Sequence, residues 1–163
     1  MISEESITRF AREVAKYPAD QKQSAVMACL TIVQQELGYV SPESEQMVAN
    51  YLGMSAIAVH EVTSFYNMYN QRPVGKYKLN VCTNLPCQLR DGERAMAHLN
   101  EQLGVGNNET TPDGMFTLQQ CECLGACADS PVMLVNDTTM CSFMSNDKLD
   151  QLIDGLRSAE VKS

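Results

Sequence analysis

The runs YKLNVCTNLPC, residues 77–87, and ECLGACADSPVMLV, residues 122–135, decide how this chain is read. They place four residues between Cys82 and Cys87, three between Cys123 and Cys127, and 35 between the two pairs. Two close pairs of thiolates suit a soft metal centre, because sulfur ligands favour iron, zinc or copper(I) over hard cations. Residues 77–82 alternate as a strand does, so Cys82 ends a strand and Cys87 lies in the loop behind it, which Asn84 and Pro86 hold open. Residues 115–120 and 132–135 read as two further short strands. Cys123 follows the first of these, and Cys127 closes a loop through Gly125, a residue that lets backbone approach a ligand closely. Each pair therefore sits at a strand-to-loop exit. With both strands in one sheet, four sulfurs converge at one sheet end.

Working outward, residues 90–103 form a helix with Ala95, Leu99 and Leu103 on one side. Residues 104–114 are turn-rich. Asn136-Asp137 turns the chain into a returning strand over 138–143. Ser145 caps a last helix that buries Leu149, Leu152, Ile153 and Leu156, and the tail from Ser158 is expected to fray. The order β-α-β-β-α argues an α+β layer, with helices against a small sheet.

Upstream the periodicity is helical throughout. Ser3 caps a helix over 3–16 that carries Ile7, Phe10 and Val14, and Tyr17-Pro18 ends it. A second helix covers 21–37, with Ala25, Cys29, Ile32 and Val33 on its apolar face and Gly38 as its cap. Ser41 and Pro42 open a third, which carries Met47, Val48, Tyr51 and Leu52 and stops near Gly53. Ser55 caps a fourth that runs to 65–69. Helices this short are marginal alone and must pack together, which predicts a small bundle. The breaker QRPVG, residues 71–75, marks a boundary between a helical bundle domain, 1–75, and a second domain, 76–163.

Composition bounds the function. The chain has 163 residues, 44% of them hydrophobic, and a formal net charge of −8. Nucleic acid is excluded as a partner, because phosphate contacts need clustered Lys and Arg and none is present. No apolar run approaches the roughly 18 residues of a membrane span, so direct membrane insertion is not expected. The N-terminal MISEESITRF lacks the features of a signal or transit peptide. The expected location is the cytoplasm, with any membrane attachment made through a partner.

Seven cysteines is an odd number, whereas a secreted disulfide framework normally uses an even set. Spacing alone leaves three readings of the pairs: a [2Fe–2S] cluster with two ligands per iron, a structural zinc, or a redox thiol pair. Neither pair has the C-x-x-C spacing usual for the last. Cys29 and Cys141 read as buried small hydrophobes. Cys121, two residues before Cys123, is expected on the other side if the strand continues. His60 and His98 stand alone in helical stretches and read as surface or packing residues. The adjacent Phe65 and Tyr66 read as packing between the fourth helix and the second domain, with an interface role as the rival. No Gly-rich nucleotide loop and no nucleophile–base pair is present, so no NADH or flavin site is expected on this chain.

With these residues quoted, CTNLPC and ECLGAC resemble the ligand loops of the thioredoxin-like [2Fe–2S] ferredoxin family, the 24 kDa-type subunits of NADH:quinone oxidoreductase (complex I). QQELGYVSPE, residues 34–43, and VTSFYNMYNQRPVGKY, residues 62–77, are similar to the family's helical region. ECLGACADSPVMLVND, residues 122–137, is similar to its second ligand loop and the following strand. The resemblance covers nearly the whole chain. It implies an N-terminal helical bundle followed by a thioredoxin-like α/β domain, with Cys82, Cys87, Cys123 and Cys127 as ligands of a [2Fe–2S] cluster. It implies a flavoprotein partner that binds NADH and FMN, further peripheral-arm subunits, and attachment to the inner face of the plasma membrane through the complex. It also implies a cluster off the main electron path, where an electron is stored. Two positions depart from the family: Ser130, where a small apolar residue is common before the proline, and the extra Cys121.

The expected chemistry is one-electron exchange with a neighbouring flavin. Backbone N–H groups over 85–88 and 124–128 are expected to hydrogen-bond the sulfurs. Alternative assemblies are an NAD-linked hydrogenase or formate dehydrogenase with an equivalent subunit. Outside that class stand a zinc module that only holds subunits together and a thioredoxin-like thiol oxidoreductase.

Overall fold

Ser3, Ser41 and Ser55 each stand at the head of a helix in the computed structural model, which describes residues 2–160. Each serine Oγ accepts a hydrogen bond from the backbone N–H three residues on, satisfying a donor that the first helical turn cannot. The helices are α1 (Glu4–Val14), α2 (Val26–Leu37), α3 (Pro42–Leu52) and α4 (Ala56–Phe65). Gly38 and Gly53 end α2 and α3 in left-handed backbone. The chain divides into two units between Pro73 and Val74.

The first unit is built on Phe10, Leu30, Val33, Val48, Leu52 and Val59, all fully or almost fully buried. Phe10 packs edge-on against Tyr51 with ring centroids 5.2 Å apart. The Glu45 carboxylate on α3 is buried, accepts a short hydrogen bond from the Thr63 hydroxyl, and lies 3.0 Å from His60 Nδ1, tying α3 to α4.

Three expectations are corrected here. The stretch 21–37 is not one helix: Ala19–Ala25 is a 3₁₀ turn with Gln21 off helical geometry, and α2 begins at Val26. The polar run DQKQS offers no apolar stripe to pack, so the tighter, shorter helix suffices there. Ile7 is exposed, and α1 buries Ser6 and Phe10 instead. The Ser3 N–H and hydroxyl both donate to the Glu36 carboxylate, which draws the Ser3–Ser6 edge of α1 towards α2. Phe65 and Tyr66 do not join a core. They stack edge-on with each other, centroids 5.0 Å apart, and both are exposed.

The second unit is a five-stranded sheet in the order β2-β3-β1-β4-β5, from β1 (Tyr77–Cys82), β2 (Glu109–Thr110), β3 (Phe116–Cys121), β4 (Met133–Val135) and β5 (Thr139–Cys141). β1 and β3 run parallel, and the other pairs are antiparallel. A parallel neighbour needs a crossover, which α6 (Gly92–Leu103) supplies. Leu79, Val81, Phe116, Leu118, Met133 and Val135 alternate onto one face and pack with Leu99 of α6 and with Leu149 and Ile153 of α7 (Asn146–Glu160). Leu152 and Leu156 are only partly buried. The alternate residues of β1, namely Lys78, Asn80 and Cys82, take the other face. There Lys78 Nζ lies 2.8 Å from the Asp137 carboxylate, and Asn80 Nδ2 donates to Asp137 at 2.7 Å. Asn136 and Asp137 both have left-handed backbone, and the Thr138 N–H donates to the Val135 carbonyl to close the turn between β4 and β5.

Three elements escaped the sequence reading: the one-turn α5 (Leu85–Gln88), β2 and a 3₁₀ turn at Cys127–Asp129, all too short to show a period. Cys141 ends β5 half-buried, packed against the edge of the sheet's core rather than inside it. Helical residues precede a mixed sheet with helices against it, the α+β class that the element order implied.

Candidate metal centre

The parallel register of β1 and β3 sets Cys82 opposite Cys121, so both strands end at one level and feed their loops to the same sheet end. Beyond β1 the chain turns at Asn84 into α5, whose first turn holds Pro86 and carries Cys87 inward. The start of α6 closes on this loop at Gly92. A Cβ at that position would lie 2.8 Å from the Cys82 carbonyl oxygen and 2.9 Å from the Cys87 carbonyl, so no other residue fits without a backbone shift. Beyond β3 the second loop crosses back through Gly125, at φ +77°, before a 3₁₀ turn at Cys127–Asp129.

Side chains then join the two loops. Asn84 Nδ2 donates to Glu122 Oε2 at 2.9 Å, and Arg90 Nη1 donates to the Ala128 carbonyl at 2.8 Å. Ser130 is buried. Its hydroxyl donates to the Cys127 carbonyl at 2.9 Å and lies 3.0 Å from Cys87 Sγ.

The thiols come as two pairs. Cys82 and Cys87 are each only 1% exposed and share one buried cluster. Cys123 Sγ and Cys127 Sγ lie 3.8 Å apart, Cys123 exposed and Cys127 half-buried. Val132 shares the buried pocket, with Leu124 and Ala126 packed against it. The centre is thus dry at Cys82 and Cys87 and open at Cys123.

Burial pushes the Cys82 thiol up, the N–H groups of Asn84 and Leu124 pull it back down, and Cys87 raises it again. Cys127 is raised by its hydrogen bond with Cys123, by burial, and by the negative charge of Cys123 and then Cys87. The two pairs therefore feel each other. Thiols crowded in this way keep their protons until a cation compensates their charge, which is how metal binding and deprotonation couple. The Gly125 N–H donates to Cys123 Sγ at 3.4 Å. Backbone donors therefore come from Asn84, Leu124 and Gly125, with the first loop's donor just ahead of the expected stretch.

Among the described residues no three His, Cys, Asp or Glu side chains are arranged around one metal ion. Two thiol pairs at one sheet end, with N–H donors aimed at sulfur, offer the four thiolates that a two-iron group takes.

All four expected cysteines lie in this region. Cys121 is a correction. Residues two apart on a strand share a face, so alternation does not part Cys121 from Cys123; the strand ends at Cys121, and its thiol lies in the same buried pocket as Cys82 and Cys87. Burial first, and then the charges of Cys82 and Cys87, push it up to about 12. Cys29 belongs to the first unit's core, as its helical face implied. The histidines are not isolated in space: His60 faces Glu45, and His98 Nε2 lies 2.7 Å from Asp150 on α7. Sequence reasoning missed Gly92 and the Asn84–Glu122 bridge. It noted Ser130 only as a departure before the proline.

Comparison with known proteins gives the same direction. A family model described as thioredoxin-like [2Fe-2S] ferredoxin matches residues 10–157. The chain is 41% identical over 146 residues to NADH-quinone oxidoreductase subunit 2 of Thermus thermophilus, covering 90% of this chain and 81% of that one. It is 40% identical over 146 residues to an NADH-quinone oxidoreductase subunit of Rickettsia conorii, covering 89% and 87%. Among solved structures it is similar in fold to an NAD+-reducing [NiFe]-hydrogenase in the H2-reduced state, with a TM-score of 0.69 at 16% identity. That match covers 82% of this chain but only 22% of the hydrogenase chain.

Proposed function

The chain belongs to the thioredoxin-like [2Fe-2S] ferredoxin family, and on that premise we propose that Cys82, Cys87, Cys123 and Cys127 ligate one [2Fe–2S] cluster in an electron-transfer subunit of NADH:quinone oxidoreductase. The observation that carries this reading is the meeting of two close thiol pairs at one end of the sheet, through the β1–β3 register. The names of relatives at about 40% identity over nearly the whole chain support the assembly. The hydrogenase likeness supports the fold alone.

When bound, the cluster supplies a one-electron acceptor and donor. The chain's own residues prepare its place. The two cysteine pairs give up their thiol protons on ligation. The Asn84, Leu124 and Gly125 N–H groups face sulfur and stabilise its negative charge. Val132, Leu124 and Ala126 keep water from the inner pair. Cys123, exposed at the rim, marks the side from which an electron partner approaches. That partner is the flavoprotein subunit that binds NADH and FMN, alongside other peripheral-arm subunits. The helical domain ends near residue 75, within two residues of the break between Pro73 and Val74, and the cluster domain follows it. No helix among the described residues is long and apolar enough to cross a membrane, and membrane attachment comes through the complex.

The test is anaerobic purification with iron and sulfide analysis, followed by EPR after dithionite reduction. About two irons and two sulfides per chain with an S = 1/2 signal are expected. One zinc and no signal would overturn the redox reading.

A further inference from the structure

We infer that Ser130 is the hydrogen-bond donor that tunes this centre: its hydroxyl donates to the Cys87 sulfur and makes the cluster easier to reduce. The inference rests on the ligand reading above. Ser130 is 3% exposed, and its Oγ lies 3.0 Å from Cys87 Sγ and 2.9 Å from the Cys127 carbonyl oxygen. A hydroxyl has one hydrogen. With Cys87 as a thiol, the S–H donates to Oγ, the O–H donates to the Cys127 carbonyl, and every group is satisfied. With Cys87 as a metal-bound thiolate, the sulfur has no hydrogen to give. A hydroxyl still turned to the carbonyl would then aim its lone pairs at an anionic sulfur in a buried pocket. The hydrogen turns to sulfur instead, and the bond becomes charge-assisted.

The direction of the effect follows from charge. Reduction adds one electron to the cluster from a one-electron donor, dithionite in the test below, and part of that charge falls on the ligand sulfurs. A donor already aimed at Cys87 Sγ interacts more strongly with the reduced form, which raises the reduction potential. No bond to Ser130 forms or breaks, and its proton stays on oxygen. Burial enlarges the effect, because the dry side of the centre screens it little. Cys82 and Cys123 take their donors from backbone N–H groups. At Cys87 the donor is a side chain, so this contribution can be removed without touching the backbone.

The experiment compares the wild-type chain with S130A and S130T, purified anaerobically, by iron and sulfide content and by potentiometric titration followed by EPR. S130A is expected to keep its iron and sulfide, to show an altered EPR signal, and to reduce about tenfold less readily, a shift of ~59 mV for a one-electron couple. S130T, which keeps the hydroxyl, is expected to return towards wild type. A loaded S130A with an unchanged potential overturns the inference and leaves the ligand reading standing. If S130A loses iron, S130G is titrated in its place. If both lose iron while S130T keeps it, Ser130 is only a tie between loops, and the inference falls. A wild-type chain without iron overturns the ligand reading, and this inference with it.

Discussion

Cys82 and Cys121 are register partners across the parallel pair β1–β3, which sets a fifth thiol beside the first proposed ligand. Cys121 remains on its strand, buried and pushed up to about 12, while Cys123 and Cys127 lie on the loop that faces the other pair. Proximity alone therefore does not make it a ligand. Cys121→Ala is expected to keep its iron, whereas Cys123→Ser loses the native spectrum. Iron analysis and visible absorption of the two variants decide this. An iron-free Cys121→Ala beside a native-looking Cys123→Ser would reverse the assignment.

Gly92 is where α6 presses on the first ligand loop, and the atoms that a Cβ would meet are backbone carbonyl atoms, which cannot swing aside. Gly92→Ala is expected to cost about 1–3 kcal/mol through overpacking and to lower the iron content by displacing Cys82 and Cys87. Gly155→Ala on α7 is the control. Its Cβ meets nothing, and it should be neutral or stabilising by about 0.4–1 kcal/mol. Thermal melts with iron analysis check both. Full iron retention in Gly92→Ala would show that the loop yields more easily than the contacts imply.

What the sequence made legible was local. Ser3, Ser41 and Ser55 cap helices through a bond three residues away, so their neighbourhood suffices to find them. Cys82 at the end of an alternating strand was equally plain. The facing of α1 was not, because Glu36, 33 residues from Ser3, helps to set it. The Ser130–Cys87 contact spans 43 residues and joins two loops with no shared period, so it exists only in the folded chain. The same holds for His60 with Glu45 and His98 with Asp150. Phe65 and Tyr66 misled because an apolar helix end reads alike whether it is buried or exposed. The family resemblance supplied the choice of iron over zinc, which spacing had left open.

Phe10 is fully buried in the first unit and packs edge-on against Tyr51, while the cysteine pairs belong to the second. Phe10→Ala is expected to destabilise the helical unit by about 3–5 kcal/mol. The cluster's absorption and EPR signal should be unchanged at temperatures where the helical signal has already fallen. Circular dichroism and visible absorption followed through one melt separate the two transitions. A single coincident loss in both wild type and variant would mean that the halves fold as one cooperative body.

Cys29 offers a pH test free of the metal centre. Its thiol is fully buried on α2, and burial, with a smaller contribution from Glu13, pushes it from the ordinary 9.0 up to about 12. Below pH 9 both folded and unfolded chains carry the thiol proton, and the group is neutral to the balance. Between about 9 and 12 the unfolded chain loses that proton while the folded chain keeps it, so stability falls as pH rises, by about 1.4 kcal/mol per unit from this group. Cys29→Ala removes this dependence while leaving a small cavity. The variant is expected to be less stable than wild type at pH 7, and the gap should narrow or close by pH 11. Denaturant unfolding of both proteins at pH 7, 9 and 11, under reducing conditions, measures it. Parallel losses across that range would show that the Cys29 proton is not held, and rapid alkylation of this thiol in the native protein at pH 9 would say the same.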